Sequence, residues 1–196
     1  MAGISGTSSG NRDTLELMLN RLEHRGPGGK WIHCGEKVAL GCCILPSEAK
    51  SPRRVRSQMA GTSVVIDGHL NCEDGAQLLE ADYLVNLYNR FGSGFVEQLD
   101  GDFALALAVD SELILTRDAV GLRPLFYGYN NGDLYFASEL KALIGLCAEV
   151  EELPPGHTYT IQQGLRPFKS PLHSVPGFDS PEEAARILAD LLREAV

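Results

Sequence analysis

Phe103-Ala104-Leu105-Ala106-Leu107-Ala108-Val109, then Asp110-Ser111, then Glu112-Leu113-Ile114-Leu115-Thr116-Arg117, is the stretch that decides the fold. Large residues alternate with alanines over 103–109, the period-two pattern of a strand. Small side chains on one face let a second layer approach closely. Asp110-Ser111 predicts a hairpin turn into a second strand over 112–117. Downstream, 125–129 reads as a strand that turns at Asn130-Asn131-Gly132 into another over 134–137. The segment 158–162 adds one more, after the loop Pro154-Pro155-Gly156. Upstream, the β-branched run 62–67 ends at Gly68, and 38–45 (Val-Ala-Leu-Gly-Cys-Cys-Ile-Leu) reads as a buried strand.

Helices fall between and outside these strands. Leu15, Met18, Leu19 and Leu22 recur at i, i+3, i+4 and i+7, which predicts a helix over 13–25 capped by Asp13 and ended by Gly26-Pro27. A second helix is predicted from about Gly75 to Phe91, with Leu84, Leu87, Tyr88 and Phe91 as its stripe and Gly92 as its stop. A short one is expected near Ser138, burying Leu140, Leu143 and Ile144. The last starts at Ser180-Pro181-Glu182-Glu183, a capping box with proline at the first helical position. Its stripe is Ala184, Ile187, Leu188, Leu191 and Leu192. Hairpins join most strands, so the pattern predicts an α+β fold of antiparallel sheets with helices segregated outside. The division expected is a domain over 1–163, a linker rich in Pro and Gly over 164–179, and a helix over 180–196.

Composition narrows the function classes. The 196 residues carry 17 Lys and Arg against 26 Asp and Glu, a formal charge of −9. Such a chain repels phosphate backbones, which argues against nucleic acid as a partner. Apolar residues make up 44%, enough for a core, and no apolar run reaches the length of a membrane span. With no signal pattern at the N-terminus, the expected location is cytoplasmic. The five cysteines (Cys34, Cys42, Cys43, Cys72 and Cys147) are odd in number and form no CxxC pair, so a disulfide framework is not expected. His33, Cys34, His69 and Cys72 match no standard zinc spacing, and no metal is assigned.

Six stretches, in order, carry a resemblance. They are Met1-Ala2-Gly3-Ile4-Ser5-Gly6; Leu22-Glu23-His24-Arg25-Gly26-Pro27-Gly28-Gly29; Leu99-Asp100-Gly101-Asp102-Phe103-Ala104-Leu105-Ala106; Arg117-Asp118-Ala119-Val120-Gly121-Leu122-Arg123-Pro124-Leu125-Phe126-Tyr127; Phe136-Ala137-Ser138-Glu139-Leu140-Lys141-Ala142-Leu143; and Leu153-Pro154-Pro155-Gly156-His157. Over about residues 1–160 the chain resembles the N-terminal glutamine-hydrolysing domain of asparagine synthetases, the class II (N-terminal nucleophile, Ntn-type) glutamine amidotransferases. The resemblance implies a four-layer αββα sandwich of two antiparallel sheets. It implies a chemistry in which a cysteine at position two attacks the glutamine side-chain amide with its own α-amine as base. A backbone N–H and an asparagine amide would bind the oxyanion, and an arginine and an aspartate the substrate's α-carboxylate and α-amine.

At those positions this sequence departs from the pattern. Ala2 stands at the nucleophile position, and a methyl group cannot attack an amide. Loss of a nucleophile has lowered turnover about a million-fold in a serine protease. Asp67-Gly68-His69 occupies the family's Asn-Gly-Glu: Gly68 is kept, while Asp67 puts a carboxylate where an amide donor is needed and His69 replaces the glutamate. The family arginine falls on Ile44 or Cys43, neither of which forks onto a carboxylate. Asp82 is the one match, to the aspartate that grips the amine. Arg117, Asp118 and Arg123 are read as a strand-end ion pair or turn contacts, and His24 and Arg25 as bracing the loop after the first helix. A retained Met1 would also block the amine base.

The expectation is an amidotransferase fold with a degenerate, inactive glutaminase site, a pseudoenzyme acting as scaffold or regulatory part of an ATP-dependent amide-forming synthetase. The alternatives are an active glutaminase whose nucleophile was removed by design, and a module that binds a glutamine-like molecule through Asp82. The partner implied is a synthetase domain in cis or in trans, with glutamine or a related small molecule as ligand and a homodimer among the assemblies admitted. No cofactor is expected in this chain: ATP and magnesium belong to a downstream synthetase domain that binds them through a Ser-Gly-Gly-x-Asp-Ser loop, a segment that residues 1–196 do not contain.

Overall fold

The structure, a computed structural model, describes residues 2–48, 56–59, 61–71, 80–169 and 180–194. The 103–117 stretch forms the hairpin it predicts: strand β6 (Gly101–Val109) pairs with β7 (Glu112–Arg117), and Asp110 takes a φ of 52° in the turn. Upstream lie β1 (Gly3–Thr7), β2 (Lys30–Cys34), β3 (Ala39–Cys43), β4 (Arg56–Met59) and β5 (Thr62–Leu70). Downstream lie β8 (Phe126–Asn130), β9 (Asp133–Ala137), β10 (Val150–Glu152), β11 (His157–Thr160) and β12 (Gly164–Pro167). The described strands make two antiparallel sheets, in the orders β10-β8-β9-β1-β3-β2 and β12-β11-β7-β6-β5-β4.

Alternation places the layers. Ala104, Ala106 and Ala108 face the other sheet and share a buried cluster with Ile4, Leu40, Cys42 and Phe136. Phe103, Leu105 and Leu107 face outward, where helix α2 (Glu80–Phe91) covers them with Leu84, Val85 and Leu87. On the opposite outer face, helix α1 (Arg12–Arg21) lays down Leu15, Met18 and Leu19, with Leu22 just beyond, against Ala39 and Cys43. Gly41 permits that approach, since a Cβ there would lie 2.6 Å from Leu19 Cδ1. Helix, sheet, sheet, helix is the four-layer sandwich.

The local expectations differ in several places. Asn11, not Asp13, caps α1: its Oδ1 accepts from Thr14 N at 3.0 Å, and Asp13 sits in the first turn, where a negative charge complements the helix N-terminus. The helix expected near Ser138 is a single 3-10 turn (Leu140–Ala142); Leu143 is buried, but Leu140 and Ile144 are exposed. Ser138 is no cap, because its Oγ accepts from Ile4 N at 2.9 Å and so ties β9 to β1. Residues 164–167, expected to open a linker, form β12 on β11, and Phe168 packs beside the α2 core. The rest of that linker (170–179) and the start of the second helix (75–79) lie outside the described residues. Helix α3 (Pro181–Glu194) has the predicted cap, with Glu183 N donating to Ser180 Oγ at 3.1 Å. Among the described residues no helix is long and apolar enough to cross a membrane.

Candidate functional site

Ala2 enters β1 with its side chain in the core between the sheets and is 1% exposed. Its carbonyl accepts from Arg25 Nε at 3.1 Å. Arg25 ends the 3-10 turn that follows α1 (Glu23–Arg25). The same guanidinium donates to Asp67 Oδ2 at 2.5 Å and to Glu139 Oε1 at 3.2 Å. Asp67 lies opposite Ala104 in the β5–β6 register, and so faces the inter-sheet space that Ala2 occupies. One arginine thus joins the start of β1, the end of β5 and the segment after β9.

Asp67 is fully buried, and its Oδ1 has no hydrogen-bond partner among the described residues. Burial pushes its carboxyl above the usual carboxylate range, against the pull of the Arg25 and Arg123 guanidiniums. Gly68 follows at a φ of +131°, and a Cβ there would lie 1.9 Å from Asp102 O. Only glycine fits this backbone as it stands. Glu139 is a second hub, taking His24 Nε2 at 2.9 Å and Lys141 Nζ at 3.1 Å besides Arg25. Burial raises its carboxyl, but the hydrogen bonds from Lys141, Arg25 and His24 outweigh this and hold it below its ordinary value.

The structure brings Ala2, Asp67 and Gly68 to one place. Ile44 lies in the same inter-sheet cluster as Ala2, whereas Cys43 faces α1 and donates to Leu19 O at 3.3 Å. Of the two residues expected at the arginine position, Ile44 is therefore the one on the site's side. Asp82 is not part of this group. Its carboxylate accepts from Ser57 Oγ at 2.5 Å, and Ser57 pairs with Val64, which belongs to the helix-side core. Asp82 thus lies on the other face of the β4–β5 pair from Asp67. His69 is exposed on β5 beside Asp102. His33 and Cys34 are on β2 of the other sheet, and Cys72 lies outside the described residues.

Neither Cys42 nor Cys43 supplies a thiolate here. Cys42 is enclosed between the sheets, and burial pushes its thiol far up; Cys43 is pushed up to about 11 by burial. Both stay protonated and inert at neutral pH. Arg117 and Asp118 are turn contacts, as read from the sequence. Arg117 donates to the carbonyls of Gly121, Arg123 and Leu153, and Asp118 accepts from the backbone N–H groups of Val120, Gly121, Leu122 and Arg123. Arg123 pairs with Asp102. The Arg25–Asp67–Glu139 constellation was not foreseen. Arg25 and Glu139 both stand in the quoted motifs, but no periodicity links residues 42 and 114 positions from Asp67 and Arg25 respectively to one ion cluster.

Comparison with known proteins agrees with this architecture. Residues 79–154 match the glutamine amidotransferase domain family. An asparagine synthetase (glutamine-hydrolyzing) of Arabidopsis thaliana is 30% identical over 185 residues, covering 86% of this chain and 32% of that protein. One from Zea mays is 29% identical over 212 residues, covering 99% and 36%. The chain therefore spans about a third of the length of these relatives. Among solved structures, the glutamine phosphoribosylpyrophosphate amidotransferase of B. subtilis superposes with a TM-score of 0.66 at 20% identity, covering 84% of this chain and 48% of that one. In sequence the chain is similar to the glutamine amidotransferase part of asparagine synthetases, and in fold it is like the solved glutamine amidotransferases.

Proposed function

We propose that this domain hydrolyses no glutamine and serves as a scaffold or regulatory part of an ATP-dependent, amide-forming synthetase. The observation that carries the reading is the buried Asp67–Arg25 pair beside Ala2. A methyl group has no lone pair for an amide carbon. An ionised carboxylate at the oxyanion position repels the charge that a tetrahedral intermediate develops, and loss of even one donor there costs about 10²–10³-fold. Arg25 does not compensate, because two carboxylates and a carbonyl already engage its guanidinium. Ile44 offers an α-carboxylate nothing to bind. The glutamine-sensing alternative is disfavoured by the placement of Asp82 on the far face of the β4–β5 pair.

In this reading the amide-forming chemistry, with ATP and magnesium, belongs to a synthetase partner in cis or in trans. The test is glutamate release from glutamine at steady state, with ammonia controls. Turnover at the no-enzyme blank is expected, and turnover clearly above it overturns the reading. Ala2→Cys alone is also expected to stay at the blank, since Asp67 and Ile44 remain. Hydrolysis restored by that single change would mean that only the nucleophile is missing.

A further inference from the structure

Beyond that site, the β8–β10 edge of the first sheet holds a cavity of about 240 Å³. Tyr127, Gly128, Tyr129, Ala148, Glu149 and Glu151 line it. Its shape follows from the register. Glu151 pairs with Tyr127 and Val150 with Gly128, so both tyrosines and both carboxylates border one opening. Gly128 lets the 147–149 segment cross closely, since a Cβ there would lie 2.5 Å from Glu149 O.

The rings are fixed and the charge is not balanced. Tyr127 packs on Tyr159 with ring centroids 4.4 Å apart and donates its hydroxyl to Glu151 Oε2 at 2.8 Å. The hydroxyls of Tyr129 and Tyr159 lie 2.5 Å apart. Burial, reinforced by hydrogen bonding, raises both cavity tyrosines above the ordinary phenol value, so their rings stay neutral and the negative charge belongs to Glu149 and Glu151. Among the described residues no Lys, Arg or His forms an ion pair with either carboxylate. By contrast, Glu139 and Glu152 each have a basic partner. The ring of Tyr129, 38% exposed, beside two carboxylates that form no ion pair among the described residues attracts an organic cation and repels an anion. A planar guanidinium suits the arrangement best, because it can stack on a phenol ring while its N–H fork meets a carboxylate.

We propose that this cavity binds an alkylguanidinium group. Two sources carry that chemistry, a free small cation and an arginine side chain of a polypeptide. Both are titrated by calorimetry at low salt into the full chain, as agmatine and as a blocked Gly-Arg-Gly peptide, with butylurea as the uncharged planar control. Saturable binding of at least one guanidinium probe is expected, with none for butylurea, and the tighter probe identifies the source. Glu149→Gln, at an exposed side chain, is expected to weaken the interaction by about tenfold. Tyr129→Leu, a second variant that removes an exposed ring, is expected to weaken it as well. Absence of saturable binding by both probes overturns the proposal. So does equal binding of butylurea, or unchanged affinity in both folded variants.

Discussion

Arg25 is 9% exposed at its side chain and holds Asp67, Glu139 and the Ala2 carbonyl together, so the titration of its two carboxylates reports on the site. They carry opposite signs. Glu139 is held below its ordinary value, so its stabilising contribution is present above the unfolded carboxylate pKa of about 4.3 and is lost as pH falls through the folded value. Asp67 is raised by burial, so its contribution is present below about 3.9 and is lost as pH rises through its folded value. Protonating Glu139 therefore destabilises, while protonating Asp67 relieves a buried charge. Stability of Glu139→Gln, measured by urea unfolding from pH 7 to pH 3, should fall less steeply on the acid side than that of the unmodified chain. Parallel curves for the two proteins would show that Glu139 does not sense the Arg25 cluster in the folded state.

At the scale of elements, the turn after β7 depends on one carboxylate. Asp118 is 1% exposed, and its Oδ1 alone accepts from three backbone N–H groups while Oδ2 takes that of Arg123. Ala at this position takes that acceptor from the N–H groups of Val120, Leu122 and Arg123, while Gly121 N keeps the carbonyl of residue 118 at 3.2 Å, a loss of about 2–4 kcal/mol in all. Asn keeps one oxygen for the same donors and should lose clearly less. Chemical denaturation of Asp118→Ala and Asp118→Asn checks this, and equal losses would assign the effect to charge instead of donor satisfaction. What the sequence made legible follows the same physics. The β6–β7 hairpin was readable because its two buried faces differ in size, alanines toward the other sheet and large residues toward α2, and α1 because it buries one face alone, which leaves the i, i+3, i+4 stripe undiluted. Strand β2 was not readable, because its side chains are exposed or half-buried and Lys30 and His33 interrupt the apolar pattern. Over Leu140, Leu143 and Ile144 a helical stripe misled, since Arg21 reaches in to take the carbonyls of Ala142 and Ile144 and the turn stops after three residues.

Across the whole molecule, the candidate site exists only because distant segments meet. Strand β1 runs between β3 and β9, and Arg25 crosses from the α1 layer to β5 of the other sheet. The resemblance could name Ala2, Asp67 and Gly68 one by one. Only the packing shows that a buried arginine turns Asp67 into half of an ion pair, and that Asp82 belongs to the opposite face. Helix α3 stands apart from this arrangement. None of its residues enters the three buried clusters, and Leu188, Leu191 and Leu192 are each 58% exposed. Side chains left that open withdraw little apolar area from water, so the helix adds little to the stability of the sandwich. A chain ended after Lys169 should therefore unfold within about 2 °C of the full chain, because a loss of even 1 kcal/mol would lower Tm by about 2–4 °C at this size. Thermal melts followed by circular dichroism decide the point. A larger drop would mean that the leucine stripe of α3 covers the sandwich in solution. An unchanged midpoint leaves that stripe unemployed by this domain's own core, and the sandwich then owes its stability to the layers between β1 and β12.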